Sequence, residues 1–235
     1  MKKNLMNYQV KINEQHYNVI ITKKKIKRII IRVNFKNDIL VNVPLSISYE
    51  DALNRVLSNT NWLEKTINKH QEMNDVFDID GFINKSIIYI GGVKYKLVED
   101  KSITRNFFLS GDTFFYKNNI NKAIDLIYQE YYYLIEEEFN KAYDLFKNKT
   151  IQIPTLTIRK MKSRWGSCNY NTGKIVINKM LVSVPYELLK YVILHEFTHL
   201  IYPNHSKDFY NYLNLIYPKN KTFEKNLKNF SFLLS

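Results

Sequence analysis

The chain has 235 residues, enough for one ordinary domain with a smaller one appended or for two small domains, and 45% hydrophobic with 14% aromatic residues describes a folded protein. A single cysteine excludes an internal disulfide framework, no run approaches the roughly 18 apolar residues of a membrane span, and the basic N-terminus lacks the apolar core of a signal peptide. The expectation is a cytoplasmic protein with no membrane partner. Its net charge of +13 would attract polyanions, although Lys, Asn, Ile and Tyr abound together as an AT-rich coding sequence would make them.

The first part reads as short β-branched strands: YQVKI, HYNVIIT, KRIIIRV and DILVNVP, with a hairpin turn at NFKND. A helix is expected after Ser48, its N-cap, because Tyr49, Ala52, Leu53, Val56, Leu57 and Leu63 recur at helical spacing. GFINKSIIYIGGVKYKLVED predicts a second hairpin turning at Gly91-Gly92, and NFFLSGDTFFYK a further strand. From about Asn118 a stretch without Gly or Pro predicts one long helix whose tyrosine cluster, Tyr131 to Tyr133, faces the core. TLTIRKMKSRW and GKIVINKML then read as strands joined by NYNTG. Another helix is expected from Ser183 to about Ile201, with Pro185 in its first turn and Pro203-Asn204 breaking it; Ser206 caps a last amphipathic segment. The change of character places a domain boundary between 1–117 and 118–235.

The chain has five histidines, and His195, His199 and His205 fall in one window, YVILHEFTHLIYPNHS. His195 and His199 are four apart on the expected helix, about 40° from one another around its axis and one turn along it. Two imidazoles so placed can bind one ion. Glu196 lies about 100° round the axis, where it can touch a metal-activated water without ligating the metal. His205 follows the helix break and can fold back as third ligand, leaving a position open for water as in catalytic zinc sites. Asp208 is the reserve ligand. A closed structural site would need a fourth ligand, and no second cysteine exists. The spacing also occurs in metzincins, but Tyr202 stands where their turn has a glycine, which rejects that family.

One hairpin earlier lies RWGSC, Arg164 to Cys168. Gly166 within a strand marks a bulge or a close backbone approach, and an edge there can pair with an extended peptide. Arg164, Trp165, Gly166 and Ser167 are candidates for the substrate side, Arg164 for an anionic substrate or a developing oxyanion; the alternative for Trp165 is a bent strand that packs it into the core. Cys168 reads as packed and not as a nucleophile. Tyr202 and Tyr210 flank the third ligand and are further candidates for the substrate side.

RKMKSRWGSC, GKIVINKML and YVILHEFTHLIYPNHSKDFY resemble the YgjP-like metal-dependent hydrolases, relatives of the SprT-like metalloproteases; KRIIIRVNFKNDILVNVP and IIYIGGVKYKL match their β-rich N-terminal part more loosely. The resemblance implies Zn²⁺ on His195, His199 and His205, with Glu196 as catalytic acid/base. It implies an α+β fold: a β-rich N-terminal part, then a compact zincin-like (minigluzincin-type) domain with a small antiparallel sheet and the HExxH helix. The resulting expectation is a zinc metallopeptidase acting on peptides or proteins, with a zinc-bound water activated by Glu196. Two alternatives stay open. One is a metal-dependent nucleoside triphosphate pyrophosphatase using the basic strand Arg159, Lys160, Lys162 and Arg164. The other is a nucleic-acid-associated protein or protease of DNA-bound proteins.

Overall fold

The computed structural model describes residues 4–234, and the chain divides into two compact units, Met1–Asp80 and Gly81–Ser235. In the first unit β1 (Leu5–Ile12) and β2 (Gln15–Lys24) form a hairpin. Its two-residue turn, Asn13-Glu14, has both φ angles positive (46° and 68°), which matches the twist of the flanking strands. β3 (Ile30–Val33) and β4 (Ile39–Pro44) pair antiparallel across the expected NFKND turn, where the Asn34 side chain accepts from the Lys36 and Asp38 amides. β4 also pairs parallel with β2, giving the order β1-β2-β4-β3. Along β4 the side chains alternate, and Ile39, Val41 and Val43 enter an aliphatic core with Val19, Ile21, Ala52, Val56 and Leu63.

Ser48 caps α1 (Tyr49–Leu57) by accepting from the Asp51 amide at 2.9 Å. The single helix expected over this region is two helices. Ser58 Oγ and Asn59 Nδ2 both donate to the Arg55 carbonyl, side-chain bonds that compete with the helical ladder, and α2 restarts at Thr60–Val76.

After a short helix, α3 (Ile79–Ile83), the second unit holds a four-stranded sheet, β5 (Ile87–Ile90), β6 (Val93–Glu99), β7 (Phe107–Ser110) and β8 (Thr113–Tyr116), in the order β5-β6-β8-β7. NFFLSGDTFFYK is therefore a hairpin and not one strand. The expected turn at Gly91-Gly92 has φ angles of 60° and 83°, and its two amides donate to the carbonyls of Val182 and Ser183 at 2.8 and 2.9 Å. These bonds tie residues 87–116 to the histidine-bearing part of the chain, so the 117/118 boundary read from composition lies inside this unit.

The long helix expected from Asn118 divides into α4 (Ile120–Glu130) and α5 (Tyr133–Phe146). At the joint the amides of Tyr131 and Tyr132 bond three residues back, to Tyr128 and Gln129. Three consecutive tyrosines are weaker helix formers than the residues on either side. Of the cluster only part faces inward: Tyr133 is 54% exposed, and Tyr128 is the buried ring. β9 (Thr155–Arg159), β10 (Gly166–Asn169) and β11 (Lys174–Asn178) make a three-stranded sheet in the order β10-β11-β9. β10 runs antiparallel to β11, but β9 is parallel to it, so the small sheet is mixed and not antiparallel throughout. A short 3₁₀ turn, Lys179–Ser183, leads into α6 (Tyr186–Thr198), which starts after Pro185; α7 (Lys207–Ile216) and α8 (Asn220–Lys228) follow. No helix among the described residues is long and apolar enough to cross a membrane.

Candidate functional site

α6 is apolar on nearly all sides. Leu188, Leu189, Val192, Ile193, Leu194 and Phe197 are buried, so the helix is held from every direction. His195 lies in its last turn, and His199 follows directly as the C-cap, with rings 5.0 Å apart. The chain then turns through Pro203-Asn204. Ser206 caps α7 through the Phe209 amide, fixing the register that brings His205 back. Its ring lies 4.9 Å from that of His195 and 4.6 Å from that of His199. Potential ligand atoms of all three residues lie within 4.8 Å of one another.

Phe209, fully buried, floors this cluster with its ring 4.9, 4.6 and 4.8 Å from those of His195, His199 and His205. It is one of two residues here that the sequence did not single out. The only signal was its place on the apolar face of α7, which looks like ordinary core.

The donor chemistry fits a divalent metal. His199 Nδ1–H donates to the Tyr202 carbonyl at 3.2 Å, which keeps the proton on Nδ1 and leaves Nε2 with its lone pair. Nε2 of His205 faces Nε2 of His195 at 2.9 Å. Two neutral lone pairs at that distance repel unless a proton or a cation lies between them. Burial, then the neighbouring imidazoles of His199 and His205, pull the His195 pKa down to about 3, so its ring is neutral. Its Nδ1 is buried without a hydrogen-bond partner among the described residues, so an imidazolium there would lack an acceptor for its second proton. Burial lowers His199 as well. Neutral, convergent imidazoles are what a metal requires of histidine.

Glu196 is 6% exposed and faces β10. A Cβ added to Gly166 would sit 2.7 Å from its Cγ and 2.8 Å from its Cδ, and would also collide with Oε1. The close approach expected at Gly166 is thus an approach to the carboxylate itself. Burial raises the Glu196 pKa to about 8, while the Arg164 guanidinium draws it down; a bound cation would add to the downward pull.

The loop before β10 is pinned by Asn178, fully buried, another residue that sequence reading did not single out. Its Nδ2 donates to the carbonyls of Met161 and Arg164 at 2.8 and 2.9 Å, and its amide donates to the Trp165 carbonyl at 2.8 Å. Trp165, Gly166, Ser167 and Cys168 are all part-buried along this strand. Burial first, and the Glu196 charge second, push the Cys168 thiol up to about 12, against any role as a nucleophile. Tyr202 serves His199 through its carbonyl, and its ring packs on Tyr212, 5.7 Å away. The Tyr210 ring stacks on His205 at 6.0 Å. Asp208 does not join the cluster, which contains the three histidines alone.

A family model described as YgjP-like, metallopeptidase domain, matches residues 27–230. Among solved structures, the metallopeptidase zymogen abylysin of Pyrococcus abyssi is 21% identical, over 40% of this chain and 90% of its own, with a TM-score of 0.35. The metallopeptidase zymogen jannalysin of Methanocaldococcus jannaschii is 30% identical, over 40% of this chain and 85% of its own, with a TM-score of 0.34. No curated protein matches.

Proposed function

The chain belongs to the YgjP-like metallopeptidase family, and from that membership we propose that it is a zinc-dependent peptidase in which Glu196 is the general base and then the general acid. The observation that carries this reading is the convergence of His195, His199 and His205 within 4.8 Å. A zinc ion held by these imidazoles would supply a Lewis acid that polarises a carbonyl and acidifies water.

The protein's own groups supply the rest. Glu196 removes a proton from the attacking water and hands it to the leaving amine as the C–N bond breaks. Its carboxylate is held against the Gly166 backbone, which limits the positions it can take. Among the described residues β10 is paired with β11 on one side only, so its other edge can take an extended peptide as an added strand. Arg164 stands near enough to Glu196 to act on its charge and is the candidate for steadying the developing oxyanion. Family membership speaks for protein or peptide substrates and lends no support to the nucleic-acid reading.

Two measurements test the proposal. Metal analysis of gently purified protein should give about one zinc per chain; protein that neither carries nor takes up metal overturns it. Glu196→Gln should keep the metal and lose about 100- to 10,000-fold in peptide turnover. Unchanged turnover removes Glu196 from the chemistry, and turnover of nucleoside triphosphates in place of peptides replaces the substrate class.

A further inference from the structure

Tyr210, whose ring stacks on His205, also lines a groove of about 470 Å³ between α7 and the start of α8. It is lined by Lys207, Tyr210, Asn211, Asn214, Lys219, Asn220 and Lys221: three ammonium groups and no carboxylate. None of the three lysines makes a side-chain hydrogen bond or an ion pair among the described residues, whereas Lys141, Lys147, Lys179 and Lys228 of the same unit all hold a carboxylate.

The backbone adds to this charge. α8 begins after Lys219, whose φ of 65° is left-handed and whose side chain makes no cap. The Thr222 and Phe223 amides bond back to the Lys219 carbonyl, while those of Asn220 and Lys221 have no place in the helical ladder. An uncapped helix N-terminus favours an anion through these amides and through its dipole. Asn220, only 5% exposed, points its amide at the Tyr210 carbonyl and Asn214 Oδ1 over 3.5 and 3.4 Å, the outer limit for a hydrogen bond. Uncapped amides and unpaired lysines thus meet in one groove, whose lining includes Tyr210, the ring that stacks on the third histidine.

We propose that this groove is a carboxylate-binding subsite, and that the peptidase prefers substrates carrying a carboxylate about two to three residues from the scissile bond, at the ~3.3 Å rise of an extended chain. The inference rests on the peptidase reading above and names its substrate class: acidic peptides. The carboxylate belongs either to an Asp or Glu side chain or to the peptide's own C-terminus. Both present the same chemistry to the groove.

Four matched peptides separate the two sources: Glu or Gln at the position in question, each with a free or an amidated C-terminus. With the metal-loaded full chain, the favoured carboxylate should lower KM about tenfold at low salt, and the gap should narrow as salt rises. Lys219→Glu with Lys221→Glu should erase or invert the ranking, its folding checked by thermal melting. Equal KM values for all four peptides, or a ranking unmoved by the double charge reversal, overturn the proposal. Calorimetric binding of product-length versions of the same peptides to metal-free protein decides the matter independently of turnover. If no peptide is cleaved, the peptidase reading fails; if the acidic product binds no tighter than its amide, the subsite fails.

Discussion

The two units of the chain differ most in what they bury. The core of the first is aliphatic throughout, built on Val19, Ile21, Ile39, Val41 and Val43. Every buried polar or charged residue among the described residues lies in the second: Glu138, Asn178, Ser183, Glu196, Thr198 and Asn220. Burying a polar group costs stability unless it is hydrogen-bonded, and burying a carboxylate costs more. Some of these groups answer that cost locally. Tyr186 donates its hydroxyl to Glu138, Thr198 donates to the Leu194 carbonyl at 2.7 Å, and Asn178 holds two carbonyls. Glu196 has no such answer beyond Arg164, and it stands beside the histidines. The contrast teaches where to look for chemistry: one unit spends its interior on packing, the other on groups that pack badly unless they have work to do.

Four perturbations sharpen or break this contrast. Removing the metal with a chelator should have the largest effect. A ligand at a thousand times its Kd stabilises by about 4 kcal/mol, so hydrogen exchange should accelerate in α6 and α7 while the β1–β4 amides stay protected. Equal acceleration in both units would dissolve the distinction. Ile21→Ala, at a fully buried position, should cost the first unit about 3 kcal/mol, read in the exchange of β1–β4, with turnover per folded molecule retained.

Gly166→Ala should cost about 2 kcal/mol and depress turnover, because the new methyl displaces the Glu196 side chain. The stability loss should vanish when Glu196→Ala is added, since the atoms it strikes are then gone; a loss that persists places the clash elsewhere. Ser48→Ala should have the smallest effect, about 1 kcal/mol, by removing the N-cap of α1, and it should leave metal content unchanged. Chemical denaturation and metal analysis check both halves of that expectation.

Features closed by bonds within a few residues were legible in the sequence. The caps at Ser48 and Ser206, the turn at Gly91-Gly92 and the one-turn spacing of His195 and His199 all depend on short-range geometry that residue type dictates. The end of α6 was less legible: the helix stops at Thr198 with His199 as its C-cap, a turn ahead of the expected break at Pro203-Asn204. Other features turn on partners distant in the chain, which periodicity cannot supply. The parallel pairing of β9 with β11 needs a crossover through residues 160–173, and β10 lies within that crossover. The split between α4 and α5 falls at three tyrosines whose weaker helix propensity is too small a signal to set a break inside an otherwise unbroken helical pattern.

At the site the division is sharper still. Sequence by itself determined which side chains would gather, because helical spacing and a capped turn fix three imidazoles and one carboxylate to a single end of α6. Tertiary structure decided what surrounds them: Phe209 as the floor, Gly166 as the wall against Glu196, Asn178 as the pin, and the lysine groove that Tyr210 lines. Each of these is a contact between elements, and contacts of that kind are set by how whole faces pack, which no local pattern of residues encodes.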